Sequence, residues 1–288
     1  MEKVKIITDS TADLPREIIK RYAITALPMI TSFSGVDYRD GVDLTAVQFY
    51  QRMATCTELP HTSQHSPQIL YETYREALAD GSSVIAIHLS SGLSGTAQNA
   101  FLAQEMLGEK KRLAVLDSLS GSLGQGLLAL RAAELAEAGL PLAEIVMELE
   151  GMRNRLYSIF MVDTLKYLLK GGRINRIQAT MGSLLDIKPI LHLNPEGKID
   201  QLDKVRGRKA SLRRLVALVE EFGQDLNGQT VGISDGVCPD DVQQFQEIFR
   251  TRFGVKEVIT REIGAVIGTH TGPGAIAIFF QGKPKRVN

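Results

Sequence analysis

Tryptophan is absent, and cysteine occurs only twice, at Cys56 and Cys238. The first absence removes the side chain most often used as a sugar or base platform, although seven Tyr and ten Phe remain. Two cysteines far apart, with no CxxC partner motif, argue against a disulfide framework or a thiolate metal site and fit a reducing compartment. Net charge is missing as well: 33 basic residues balance 33 acidic ones, so no global field draws the molecule to nucleic acid or to an anionic membrane. No apolar run approaches the ~18 residues of a membrane-spanning helix. Residues 1–7 run straight into a strand pattern, without the basic and then apolar regions of a secretory signal. The expected location is therefore the cytoplasm. No low-complexity linker or internal repeat interrupts the chain.

What is present is ordinary for a soluble globular protein, with 44% apolar and 23% charged residues over 288 positions. That length allows two modest domains with a sizeable core. Strand-like runs at residues 3–8, 84–89 and 112–116 alternate with helix-like segments at 15–22, 67–79, 97–107, 122–138 and 142–154. An apolar stretch at 24–33 precedes a polar turn at 35–41 and a helix at 44–53. Alternation of this kind predicts a mainly parallel sheet covered by helices, with ligands outside the carboxyl ends of the strands. Asp13 is a plausible cap for the helix starting at Pro15, and Ser66 for the one starting at Pro67.

After residue 154 the pattern changes. Strands are expected at 158–162, 188–193, 198–205, 230–234, 255–260 and 275–280, with helices at 176–185, around 212–219 and at 242–253. Pro195-Glu196-Gly197 reads as a hairpin turn that introduces antiparallel pairing. The expected architecture is thus α/β in two domains. Residues 1–156 form the mainly parallel one, and 157–288 one with a mixed or antiparallel sheet.

The chemistry concentrates in Ser90-Ser91-Gly92-Leu93-Ser94-Gly95-Thr96, at a strand-to-helix turn. Closely spaced hydroxyls and a glycine-rich backbone with N–H groups to expose make an anion seat. The turn lacks the Gly-Lys-Ser/Thr ending of a nucleotide loop and the G-x-G-x-x-G of a dinucleotide loop. It has most of a nucleophile elbow but not its last glycine. A carboxylate seat, a phosphate seat and a capped helix start without ligand all remain open at this point. Thr62 and Ser63 add hydroxyls at a second polar turn. His61 and His65 have no carboxylate or cysteine at ligand spacing, so exposed loop histidines are expected and no metal or cofactor is. His88, within a strand, reads as a hydrogen-bonded structural residue. His270 stands in Thr269-His270-Thr271-Gly272-Pro273-Gly274, read as a rigid loop before an apolar strand, and can donate to a carboxylate. Arg173, after Gly171-Gly172, is a second donor or else a helix-terminal charge. Lys204, Arg206, Arg208, Lys209, Arg213 and Arg214 form a basic cluster, either a solvated helix face or a docking patch for an acidic surface or anionic headgroups.

Taken together, these clusters resemble the DegV family of bacterial fatty-acid-binding proteins. The matching pieces are Ile7-Thr8-Asp9-Ser10-Thr11-Ala12-Asp13-Leu14-Pro15, Thr62-Ser63-Gln64, residues 90–98, Asp117-Ser118, Lys170-Gly171-Gly172-Arg173-Ile174 and the His270 segment. The resemblance implies a long-chain fatty acid buried between two α/β domains and bound by Thr62, Ser63, Ser94, Gly95, Arg173, His270 and Thr271, with the Thr62 and Ser94 hydroxyls, the Gly95 N–H and His270 at the carboxylate and Arg173 near the entrance. It also implies a partner, the ATP-binding subunit of a fatty acid kinase, which would phosphorylate the bound carboxylate for phospholipid synthesis. The chain itself would be a lipid-binding subunit without a catalytic centre, in at most transient contact with membrane. Two departures flank the seat: His65 replaces a usual proline, and Ala97 a common aromatic. The residues alone also allow a hydrolase or acyltransferase with Ser94 as nucleophile and His270 as base, or a module for another small carboxylate or phosphate.

Overall fold

The computed structural model describes residues 2–174 and 187–285. The chain opens with β1 (Val4–Asp9), a single turn at Ser10–Ala12, α1 (Arg16–Arg21), β2 (Thr25–Leu27), β3 (Ile30–Phe33) and β4 (Val36–Arg39). Next come α2 (Ala46–Thr55), β5 (His61–Ser63), α3 (Pro67–Leu78), β6 (Ser83–His88), α4 (Thr96–Leu107), β7 (Leu113–Asp117), α5 (Leu123–Glu137) and α6 (Leu142–Arg153). The remainder holds β8 (Leu156–Met161), α7 (Lys166–Lys170), β9 (Ile187–Leu193), β10 (Ile199–Arg206), α8 (Arg208–Phe222) and β11 (Thr230–Asp235), then α9 (Pro239–Thr251), β12 (Glu257–Glu262), α10 (Ala265–Thr271) and β13 (Ile276–Gln281). The helix expected at 176–185 lies outside the described residues.

Two larger sheets carry the fold. The first, in the order β2-β1-β6-β7, is wholly parallel. Every residue of its central strand β6 is buried, as a strand covered on both faces requires. The second, in the order β10-β9-β8-β13-β11-β12, is antiparallel except for the β11/β12 pair. The fold is the expected α/β architecture with one parallel and one mixed sheet. A small antiparallel sheet, β4-β3-β5, splits the apolar stretch at 24–33. Residues 25–27 join the parallel sheet, and residues 30–33 turn through Ser34-Gly35 into β4, so that the expected polar turn at 35–41 closes a hairpin and itself holds the second strand.

Helix α5 lies between the two large sheets, touching β1 and β6 of one and β8, β11 and β13 of the other. It is buried on all sides over residues 123–130, which suits its small, apolar composition. Gly126 permits the approach to the Ser10–Ala12 turn after β1, because a Cβ there would stand 2.5 Å from the Ala12 carbonyl oxygen. The one polar side chain in this stretch, Gln125, is satisfied by the hydroxyls of Thr8 and Thr11 and by the Ile87 carbonyl. A single apolar cluster spans α5, α6 and the facing sides of both sheets. Helices α3 and α4 cover the outer face of the parallel sheet, and α8 and α9 that of the mixed sheet.

Candidate ligand-binding site

A cavity of about 380 Å³ opens between the sheets, within the roughly 300–1,000 Å³ typical of small-molecule sites. Much of its wall is apolar: Phe160 from β8, Leu193 from β9, and Ala277 and Phe279 from β13 contribute. Its other end gathers Thr62, Ser63, Gln64, Ser94, Arg173, His270 and Thr271. Six of the seven expected site residues therefore share one cavity. Gly95 is not part of its wall.

The convergence is built by short elements. Strand β5 pairs with β3, with Thr62 opposite Thr31, and helix α10 packs against β5, β3 and α2. This brings His270 Nε2 to 3.0 Å from Thr62 Oγ1 across 208 residues of sequence. His270 belongs to the last turn of α10 rather than to a loop. Two distant carboxylates explain that difference. Asp13 accepts the Gly264 N–H at 2.9 Å and Asp40 accepts the Ala265 N–H at 2.9 Å, supplying the helix start with acceptors.

Asp13 is thus not the cap of α1, whose N-cap is Pro15 without a side-chain bond. It closes the Ser10–Ala12 turn in a left-handed conformation and also accepts the Ser122 hydroxyl at 2.6 Å. Burial raises its pKa to about 8, with the neighbouring Asp40 adding to the effect. Burial likewise raises Asp40.

Burial, and secondarily the charge of Arg173, lowers His270 to about 4. The imidazole is therefore neutral at physiological pH and acts as a hydrogen-bonding group. Its Nδ1 is buried and has no partner among the described residues; it faces Gly171, where any Cβ would collide with it. Arg173 is half-buried, donating from Nε to Leu93 O at 3.1 Å and from Nη1 to Gly171 O at 2.6 Å. It forms no ion pair among the described residues and supplies the positive charge beside His270.

The serine turn differs from an open backbone nest. Ser91 N–H is accepted by Asp117, Gly92 N–H by the Ser90 hydroxyl, Leu93 and Ser94 N–H by Ser90 O, and Thr96 N–H by Ser94 Oγ. Gly95 N–H, expected to meet a carboxylate, is held instead by Gln64 Oε1 at 3.0 Å. The polar groups lining the cavity here belong to side chains: the hydroxyls of Thr62 and Ser94, the imidazole and the guanidinium. Ser94 Oγ lies 3.1 Å from Thr96 Oγ1. His270 Nε2 is paired with Thr62, so the Ser94–His270 couple of a serine hydrolase is not assembled.

Other expectations separate cleanly. Ser66 caps α3 by accepting the Ile69 N–H, with Pro67 first in the helix. His88 bridges Asp9 at 3.0 Å and Tyr74 at 2.6 Å in the core, as a structural histidine. His61 is exposed, but His65 is buried at 7% exposure, against the expectation of a surface loop. The segment is pulled inward by Asn99 of α4, which donates to the His65 carbonyl at 2.7 Å. In the basic cluster, Arg208 pairs with Asp163 and Asp241, and Arg214 with Asp203 and Glu221.

The family model of the uncharacterised DegV proteins matches residues 3–283. The chain belongs to the DegV family. A DegV domain-containing protein of Caldanaerobacter subterraneus is 36% identical over 283 residues, covering 98% of this chain and all of the relative. Among solved structures, a DegV-family protein from Thermus thermophilus, described by its fatty acid binding, superposes with a TM-score of 0.90. The two are 33% identical, with 97% of this chain and 99% of that one covered. DegV of Bacillus subtilis, described as a fatty acid binding protein, gives a TM-score of 0.87 at 35% identity, covering 98% and 100%. Gln64 lies within a motif that marks DegV, yet nothing in the sequence showed that its amide would take the Gly95 N–H. The apolar wall residues were equally hidden, since alternation in a strand does not distinguish a cavity from a packed core.

Proposed function

We propose that this DegV chain binds a long-chain fatty acid, with its tail in the cavity between the sheets and its carboxylate among Thr62, Ser94, Arg173 and His270. Ser63 and Thr271 border that head group, and Gly95 joins it once Gln64 releases its N–H. The observation that carries this reading is the division of one cavity into an apolar part and a polar end whose Arg173 guanidinium is held by carbonyls and has no carboxylate partner among the described residues. A tail of about 14 methylenes contributes on the order of 11 kcal/mol at ~0.8 kcal/mol each, against at least ~4 kcal/mol of lost freedom. The hydroxyls, imidazole and guanidinium then chiefly offset desolvation of the carboxylate.

The chain acts as a presenting subunit. A partner, the ATP-binding subunit of a fatty acid kinase, transfers the γ-phosphoryl group of ATP to the bound carboxylate, releasing ADP and forming an acyl phosphate. The protein works in the cytoplasm with transient membrane contact, and its domains divide near residue 156, where β8 opens the mixed sheet. Among the described residues no helix is long and apolar enough to cross a membrane. Extraction of the purified protein followed by mass spectrometry tests the binding. Recovery of a long-chain acid is expected, and recovery of none, together with no uptake of added oleate or palmitate, refutes it.

A further inference from the structure

The apolar wall of the cavity is not wholly hydrocarbon. Ser158 lines it from β8, in register with Phe279 of β13. Ala275 and Phe279 both line the cavity and are four residues apart along the chain, about 13 Å at ~3.3 Å per residue, so Ser158 borders the wall well along from Ala275. Ser158 is 2% exposed, and its Oγ lies 2.8 Å from Ser120 Oγ, likewise 2% exposed. Two hydroxyls joined by one hydrogen bond have one hydrogen left over. Neither Oγ has a second acceptor among the described residues. The hydroxyl of Ser122, which also lines the cavity, is committed to Asp13 and Ser234.

We infer that the cavity is built for an oxygenated long-chain acid, one with a hydroxyl or keto oxygen at mid-chain that accepts the hydrogen of Ser158. The inference rests on the fatty-acid reading above and narrows it. A plain methylene chain seals the spare hydrogen against carbon, whereas a keto or hydroxyl oxygen there accepts it, and a hydroxyl's own hydrogen finds an acceptor in the serine pair. The head-group residues play no part in this choice, because they meet every long-chain acid alike.

The test is competition against bound cis-parinaric acid by stearate, 10-hydroxystearate and 12-hydroxystearate, using the full chain. At least one hydroxy acid should bind about tenfold more tightly than stearate. Ser158→Ala should abolish that ratio. Ser120→Ala should preserve it, since Ser158 keeps its hydroxyl, and thermal melts of both variants verify folding. Equal affinity for all three acids, or a preference that survives Ser158→Ala, overturns the inference while leaving fatty-acid binding intact. Failure of every acid to displace the probe removes the fatty-acid reading and this inference with it.

Discussion

Replacing Arg173 with methionine keeps an unbranched apolar stem and removes the charged guanidinium. Two readouts follow from the geometry. In the free protein, burial comes first and the Arg173 charge second in holding His270 at about 4, against an ordinary value near 6.5. Because the larger share belongs to burial, loss of the cation should raise the His270 pKa only part of the way back toward the ordinary value. A titration of the His270 Cε1–H resonance by NMR reads this directly. For the ligand, a carboxylate about 5 Å from the guanidinium gains ~3 kcal/mol at an effective dielectric near 20. Partial exposure of Arg173 cuts this to about 1–2 kcal/mol, a weakening of roughly 5- to 30-fold. The sign with pH follows by linkage. A bound carboxylate raises the pKa of His270, so the complex holds a proton that the free protein lacks. Affinity should therefore increase as pH falls from about 6.5 toward 5, and in the variant, whose free and ligand-bound histidine both titrate higher, the rise should begin at higher pH. An unchanged or lower His270 pKa in Arg173→Met, together with unchanged affinity, would refute the assignment of Arg173 as the charge at the head of the site.

Three other outcomes are expected. Gly92→Ala places a Cβ 2.6 Å from the Gly197 carbonyl oxygen, pushing the serine turn off the β9–β10 hairpin. A cost of about 1–3 kcal/mol should lower the melting temperature by several degrees, and an unaltered melt would contradict the contact. Asp13, with its pKa raised to about 8 by burial, favours folding in its neutral form. That contribution is full below the unfolded carboxylate's ~3.9 and fades as pH climbs through about 8; thermal melts should show wild-type stability falling between pH 6 and 9 while Asp13→Asn stays flatter. Ser94→Ala should retain co-purified lipid, because the tail supplies most of the affinity. Acyl phosphate formation with the kinase subunit, trapped as a hydroxamate, should drop at least about tenfold, and a variant that loses lipid but phosphorylates the remainder normally would reverse that division.

The parts of the fold legible in the sequence are those fixed by near neighbours. Ser66-Pro67 announces α3 because cap and first helical residue adjoin, and Pro195-Glu196-Gly197 announces the β9–β10 hairpin because the turn is contained within it. The polar end of the site was legible for the same reason, since Thr62, Ser94, Arg173 and His270 each sit in a short motif. What escaped depends on distant partners. His65 looks like a surface residue until Asn99 of α4 pulls its segment inward. The spare hydrogen on the Ser120–Ser158 pair exists only because β8 and the turn after β7 meet across 38 residues.

Helix α10 shows how far this dependence reaches. Its sequence, Ala265-Val266-Ile267-Gly268-Thr269-His270-Thr271, holds a glycine and four β-branched residues, a weak helix former. Its start is secured by carboxylates 251 and 225 residues away, Asp13 on Gly264 and Asp40 on Ala265. The Asp9–Asp13 segment lines none of the cavity between the sheets. Its connection to the site is mechanical: Asp13 orients the first turn of the helix whose last turn carries His270 to Thr62. Asp117 does the same for the serine turn by accepting the Ser91 N–H. Two of the three polar clusters at the ends of the parallel strands thus position the residues that face the cavity. A motif scan would rank those clusters alongside Thr62 and Ser94, and only the hydrogen-bond partners separate groups that face the cavity from groups that hold them there.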